Sequence, residues 1–583
     1  MRYSVSVDVP VPMRDGAELA TDIWLPQTGG PVPVLLVRNP YGKHVLANYG
    51  FTSPNIFTLV ENGYAVVVQE CRGTFNSAGD HTPHVNESAD GADTVTWLTG
   101  QDWCDGNIGT WGVSYLGMVQ WQVAATGVPG LKAIAPAITS ADLYRAPYYS
   151  PGGAFSLDTI LTFTSLMSAN DVTRRLRSGK GEAADLVGLG EALNDMDALV
   201  AATPTAEHPL LAKYLPWIFD QAMDHPDRDD VWQELSALDR AASITVPALN
   251  IGGWYDPFLG ETIHAYAEMK QRGGTAEARE GQRLIIGPWS HTTVSGVFPD
   301  RSFGIGASPE AADMTGAHLA FFDRWLRGRK DALDSMAPVR IFVMGIDQWR
   351  DEQGWPLPDT RYIPYFLDGS GPANTAVGSG SLTSDKPESN FTDAYLYDPH
   401  RPVPTLGGSV MRPTGFNGPT DQRPVQSRDD VLCFSSGVLD EAVEVTGPVS
   451  ATLFVSSSVV DTDFTVKLVD VHPDGRAINL CDGIQRMRYR DSLEKPELME
   501  PGVVYEITVD LLATSNVFLP GHRILVEISS SNFPRFDRNS GTGGVITREH
   551  ESEMAVALNR IHHGPSYPSR VTLPVIIREP TQE

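Results

Sequence analysis

Residues 102–127 read DWCDGNIGTWGVSYLGMVQWQVAATG. The β-prone piece Ile108 to Trp111 predicts a strand, the turn Gly112-Val113-Ser114-Tyr115 follows, and the apolar-rich run from Leu116 to Ala125 predicts a helix. Strand, sharp turn with a central serine, then helix is the layout of a nucleophile elbow, which lifts a serine oxygen off the end of a sheet. A small flanking glycine lets a strained backbone pass close to the following helix. The helix start directs its free N–H groups at whatever reacts there. The pattern departs from G-x-S-x-G, because the second glycine is displaced by one, to Gly117. A G-x-S triplet also fits a serine in an ordinary strand–helix turn, so residues elsewhere must decide the reading.

Around this stretch the chain alternates strands and helices. Pro33 to Arg38 (PVLLVR), Tyr64 to Gln69 (YAVVVQ) and Leu131 to Pro136 (LKAIAP) are continuous apolar runs, suited to a sheet covered on both faces. Asn55 to Glu61 and Ser88 to Thr99 read as helices, and residues 5–25 as a hairpin turning at Arg14-Asp15-Gly16. The fold class expected is α/β with a mostly parallel sheet. From Ser156 to Leu238 the sequence shows amphipathic segments and no convincing strand, clearest in GEAADLVGLGEALNDMDALVAA and HPLLAKYLPWIFDQAMDH. Strand character resumes at Ala248 to Gly252, Arg283 to Ile286 and Val339 to Met344. Past Gly345, short strands recur between Gly- and Pro-rich turns, as in an all-β sandwich or jelly roll. The division expected is 1–141 and 241–350 for the α/β core, 142–240 for an inserted helical cap, and 351–583 for the β domain.

Bulk composition narrows the function classes. A chain of 583 residues has room for roughly three or four domains. The formal charge of −28 disfavours nucleic acid and anionic membrane surfaces as partners. No run approaches the ~18 apolar residues of a membrane span, and MRYSVSVDVPVPMRDG has no signal-peptide pattern. The cysteines Cys71, Cys104, Cys433 and Cys481 are too scattered for a metal site or a disulfide framework, which points to thiols in a cytoplasmic protein. The sequence shows no Gly-rich phosphate loop and no metal-ligand spacing, so no cofactor is expected.

A serine nucleophile needs a base, and the base needs an orienting carboxylate. In this kind of fold they follow in the order Ser, Asp or Glu, His. After the strand ALNIG comes Gly253-Trp254-Tyr255-Asp256, and after RLII comes Gly287-Pro288-Trp289-Ser290-His291. Taken singly, Asp256 also reads as a turn cap and His291 as a satisfied loop histidine. Jointly, with Ser114, they form a candidate catalytic triad. The Tyr115 N–H at the helix start is one candidate oxyanion donor.

The segments RNPYGK, WCDGNIGTWGVSYLG, GWYDPFLGE, GPWSH, SADLYRAPYYSPGGA, LVDVHPDGRAINLCDGI, LATSNVFLPGHRI and SSSNFPRFDRNS together resemble the X-prolyl dipeptidyl aminopeptidase-like (CocE/NonD) hydrolases over nearly the whole chain. The displaced glycine is part of that family's pattern. The resemblance implies an α/β-hydrolase domain with a helical cap and a C-terminal jelly-roll-like domain, and the triad Ser114, Asp256 and His291. It implies an oxyanion hole of the Tyr41 hydroxyl and the Tyr115 N–H. It places an acyl pocket on Tyr148, Phe163, Phe258 and Met411. A small-molecule ester substrate and a homodimer are its further implications. The activity expected is serine ester hydrolysis of aryl or benzoyl-type esters. The alternative is X-prolyl dipeptidyl or α-amino acid ester and amide hydrolysis, which needs a carboxylate to hold an α-ammonium group. Asp142 and Asp158 are the nearest candidates, and both also read as helix caps.

Overall fold

The computed structural model describes residues 3–27, 29–44, 53–208, 213, 216–412 and 417–577. Part of HPLLAKYLPWIFDQAMDH, residues 209–212, 214 and 215, lies outside the described residues. Among the described residues the first layer is a ten-stranded sheet in the order β1-β2-β4-β3-β5-β6-β7-β8-β9-β10. Its strands are β1 (Tyr3–Pro12), β2 (Glu18–Pro26), β3 (Val32–Asn39), β4 (Ala65–Glu70), β5 (Cys104–Val113), β6 (Leu131–Ala137), β7 (Leu249–Tyr255), β8 (Arg283–Ser290), β9 (Val339–Val343) and β10 (Gln348–Glu352). From β4 through β9 all neighbours are parallel, and the β1–β2, β2–β4 and β9–β10 pairs are antiparallel. Every residue of β3 and β4 is buried, which is why these strands read as unbroken apolar runs.

The chain steps from β3 outward to β4 and then back past β3 to β5. The order therefore reverses between β3 and β5, and crevices that hold ligands open at such a reversal, beyond the carboxyl ends of the strands. Helices α1 (Ile56–Glu61), α2 (Glu87–Thr99) and α3 (Tyr115–Ala124) make the crossovers. Between β6 and β7 lies the helical segment, with α4 (Leu157–Arg177), α5 (Ala183–Asn194) and α6 (Met196–Ala201).

Several elements run further than the sequence indicated. The strand read as 248–252 continues to Tyr255, and the one read as 283–286 continues to Ser290. Gly253 permits this, because a β-carbon there would lie 2.4 Å from the Trp289 carbonyl oxygen. The register shifts just beyond it.

The C-terminal region is all β, an eleven-stranded sheet between Thr360 and Ile576 among the described residues. It shares a core with the first layer: Trp254, Tyr255, Leu259, Ile286 and Phe342 belong to one apolar cluster with Leu453, Val466, Leu511 and Ile528. Across the junction Met344 N–H donates to the Ser515 carbonyl at 2.9 Å, and the Met344 carbonyl accepts from Val517 N–H at 2.9 Å. The four cysteines are buried and unbridged. Among the described residues no helix is long and apolar enough to cross a membrane.

Arg486 fastens the β layer to the cap. It is buried, with Nη2 at 2.9 Å from Asp463 and 2.6 Å from Asp537. Asp537 in turn exchanges bonds with Phe155, just before α4: its N–H donates to the Phe155 carbonyl at 3.0 Å and its Oδ1 accepts from the Phe155 N–H at 3.2 Å. Arg486→Met strands two buried carboxylates, so we expect a loss of about 3–5 kcal/mol, seen as a lowered urea midpoint and melting temperature. A midpoint unchanged from the parent would show that the cluster does not support the junction.

Candidate active site

Ser114 lies between β5 and α3 with φ +57° and ψ −124°, a conformation that L residues rarely adopt. The surroundings impose it. Ser114 N–H donates to the Ala137 carbonyl at 2.9 Å, and the Ser114 carbonyl accepts from Gly117 N–H and from Thr139 Oγ1 at 2.6 Å. Gly112 and Gly117 leave the room: a β-carbon on Gly112 would sit 2.7 Å from Leu116 Cβ, and one on Gly117 would sit 2.5 Å from Thr139 Cγ2.

Asp256 is the first residue beyond β7, and His291 the first beyond β8. The fold brings both to Ser114. His291 Nε2 is 3.1 Å from Ser114 Oγ, and Nδ1 is 2.8 Å from Asp256 Oδ2. Asp256 is fully buried, and its other oxygen accepts from Phe258 N–H at 2.7 Å. That second bond leaves the carboxylate one orientation, with Oδ2 toward the imidazole. The arrangement suits a serine hydroxyl that passes its proton to a histidine held by a buried carboxylate.

Tyr115 begins α3, so its N–H is among those a helix leaves without an intrahelical partner. Its phenol donates to Glu87 Oε1 at 2.9 Å and accepts from His84 N–H at 3.0 Å. Glu87 pairs with buried Arg38 at 2.6 Å. Burial pushes the Glu87 carboxyl up, but Arg38 and the neighbouring groups, the Tyr115 hydroxyl among them, together hold it below its usual range. Tyr41 follows β3, lines the cleft, and stands edge-on to Tyr115 with ring centroids 6.5 Å apart.

Ser114 and His291 open into a cavity of about 550 Å³ walled by Tyr41, Phe75, Ile138, Phe163, Met167, Asn170 and Met411, among others. Of the four residues expected to form the acyl pocket, Phe163 and Met411 line this cavity. Tyr148 and Phe258 are not among its lining residues. Tyr148 packs on Trp232 at 5.0 Å, and Phe258 lies against the His291 ring at 5.2 Å. The sequence reading missed Met167 and Asn170. They recur with Phe163 at the three- and four-residue spacing of one helix face, a signal present in LTFTSLMSAN.

Asp142 and Asp158 both carry arginine partners: Arg228 lies 2.9 Å from Asp142, and Arg412 2.5 Å from Asp158. Neither faces the cavity as a free carboxylate. The sequence shows no metal-ligand spacing, yet neighbouring strands bring Asp470, His472 and His522 within 4.8 Å of one another. There His522 Nδ1 is bonded to Asp470 at 2.7 Å.

His84 packs behind the cavity, stacked on Tyr115 at 4.8 Å and near Phe163. Both of its ring nitrogens are buried without a hydrogen-bond partner. Burial pushes it down to about 3 from 6.5, so the ring is neutral in the folded protein. The unfolded chain takes up a proton that the folded chain refuses. The resulting stability is fully present above about pH 6.5 and is lost as pH falls toward 3. His84 has a φ of +70°, which asparagine tolerates, so we expect His84→Asn to lose less urea stability than the parent between about pH 7 and pH 4. Equal losses would show that His84 does not carry this dependence.

Residues 15–293 match the family model described as X-Pro dipeptidyl-peptidase (S15 family), and residues 331–572 match the X-Pro dipeptidyl-peptidase C-terminal non-catalytic domain. The chain is 55% identical over 576 residues to a cocaine esterase of Rhodococcus sp. strain MB1 Bresler, covering 99% of each. It is 26% identical over 653 residues to a putative serine esterase of Mycobacterium tuberculosis, covering 99% of this chain and 96% of the relative. Among solved structures, an α-amino acid ester hydrolase superposes with a TM-score of 0.80 at 26% identity over 98% of this chain and 96% of that one.

Proposed function

The chain belongs to the X-Pro dipeptidyl-peptidase-like (CocE/NonD) hydrolase family and is a serine ester hydrolase, and from that premise we propose that its substrates are aryl or benzoyl-type esters, cleaved through Ser114. One observation carries the assignment of residues: Ser114, His291 and Asp256 form a continuous hydrogen-bonded line at the mouth of an apolar cavity. In this reading His291 takes the Ser114 proton as the hydroxyl attacks the ester carbonyl, and Asp256 steadies the imidazolium. The Tyr41 hydroxyl and the Tyr115 N–H receive the oxyanion. The alcohol leaves with the proton held by His291, and water attacks the acyl-enzyme by the same route in reverse.

The cavity supports the substrate class. Its walls are Phe75, Phe163, Met167 and Met411, with Tyr41, Thr162, Asn170 and Thr292 as polar points. Among the described residues no carboxylate lines it, which suits an uncharged aromatic acyl group. A relative that hydrolyses α-amino acid esters keeps the other acyl class in view, but that class needs an anion for its α-ammonium group. The two aspartates named for this role are engaged by Arg228 and Arg412.

The test is a steady-state panel on the purified protein: 4-nitrophenyl acetate and benzoate, cocaine, and glycyl-prolyl-4-nitroanilide. Benzoyl turnover above peptidyl turnover is the expected result, and preferred anilide cleavage overturns it. Ser114→Ala and His291→Ala should each lower kcat about 10⁴–10⁶-fold. Tyr41→Phe should lower it about 10²–10³-fold, as loss of one oxyanion donor does. Near-parental rates in Ser114→Ala would remove the assignment.

A further inference from the structure

His291 is flanked on both sides by residues bonded to the β domain. The side chain that bonds to both flanking residues is Asn417, which is buried. Its Oδ1 accepts from Ser290 Oγ at 2.9 Å, and its Nδ2 donates to Thr292 Oγ1 at 2.7 Å. The same Nδ2 donates to the Arg412 carbonyl at 2.7 Å, and Thr292 Oγ1 donates to that carbonyl at 3.0 Å. Ser290 Oγ also accepts from Thr293 N–H at 3.0 Å. The donors and acceptors admit one orientation of the Asn417 amide. Turned over, its oxygen would face the Arg412 carbonyl oxygen, and its two acceptors would lose their hydrogens.

The imidazole of His291 is fixed at its Nδ1 edge by Asp256. That bond sets the direction of the ring but not where its backbone stands. Residues 290 and 292 set the backbone, and Asn417 holds both. We propose that Asn417 is a positioning residue, supplied by the β domain, that keeps His291 Nε2 in line with Ser114 Oγ. The proposal rests on the reading of Ser114, His291 and Asp256 as the reacting set. It gives the β domain a part in the chemistry beyond walling the cleft. Neighbouring side chains tie the same region to the rest of the site: Met411 lines the cavity, and the Arg412 guanidinium pairs with Asp158 at the start of α4.

The test uses the full chain, with 4-nitrophenyl acetate as substrate and kcat counted per site that a fluorophosphonate titrates. Asn417→Ala should lower kcat on the order of 10- to 100-fold, as a displacement of about 1 Å in a catalytic group does, with KM little changed. Ser290→Ala removes the donor to Asn417 from the α/β side and should act in the same direction. Asn417→Asp keeps the shape but sets an oxygen against the Arg412 carbonyl, and should lose at least as much as Asn417→Ala. The double variant Asn417→Ala/Ser290→Ala should be no slower than the worse single variant, because groups that act as one unit are not additive. A purely structural role would lower the melting temperature and the titratable fraction while leaving kcat per labelled site at the parental value, and that result overturns the proposal. Losses that multiply in the double variant also overturn it. A parent inert to both the ester and the fluorophosphonate would instead remove the assignment of Ser114.

Discussion

Two close approaches of backbone to side chain, at Gly112 and Gly117, hold the site open. A serine at φ +57° costs on the order of 1–3 kcal/mol and persists only where its neighbours fix it. Here the end of β6 does so, through the Ala137 carbonyl and the Thr139 hydroxyl. Gly117 explains its own displacement from the commoner spacing. The contact it relieves is between the first turn of α3 and Thr139, not within the turn that carries Ser114. Were that turn to relax, α3 would lift from the sheet, and the Tyr115 N–H and the Ser114 hydroxyl would move together.

The rest of the molecule serves to keep three strand ends in register around that turn. Ser114, Asp256 and His291 follow β5, β7 and β8, so their mutual distances are set by a parallel sheet whose strands are buried. The β layer shares a core with that sheet, through Trp254, Tyr255 and Phe342. Buried arginines join the parts: Arg486 ties β layer to cap, and Arg38 ties β3 to the start of α2. Such pairs add little net stability over an apolar packing of equal shape, but removing one partner is costly. They therefore act mainly as constraints on how the layers meet.

Much of this was legible in the sequence where the signal is local. Apolar runs marked the buried strands, and the turn at Ser114 and the strand-end positions of Asp256 and His291 followed from spacing. What stayed hidden is set by tertiary contact. The extension of β7 and β8 to the residues before Asp256 and His291 depends on Gly253 meeting Trp289, which no propensity records. Tyr148 packs at a tilt against Trp232 and Phe258 at a tilt against the His291 ring, contacts that no local pattern records. Asn417 carries no sequence signal, since its partners Ser290 and Thr292 lie in another domain. The cluster of Asp470, His472 and His522 escaped for the same reason, as His522 lies just before Arg523, whose strand pairs with the one carrying Asp470.

The acidity of the chain ends at the cleft. A formal charge of −28 would place carboxylates almost anywhere, yet apart from Asp256, which holds His291, three carboxylates around the site are each matched to an arginine: Glu87 to Arg38, Asp142 to Arg228, Asp158 to Arg412. His84, pressed against Tyr115, is kept neutral by burial. The consequence is electrostatic. An unmatched carboxylate beside Ser114 would oppose the negative charge that develops on the carbonyl oxygen, and in a low-dielectric pocket that opposition is large. Matching the acids leaves the N–H groups at the start of α3 facing the cleft without a competing anion beside them. It also removes the anion that an α-ammonium group would seek. The arginine at 412 thus bears on two contacts at once: through its carbonyl it meets Thr292 beside His291, and through its guanidinium it pairs with Asp158 at the start of α4.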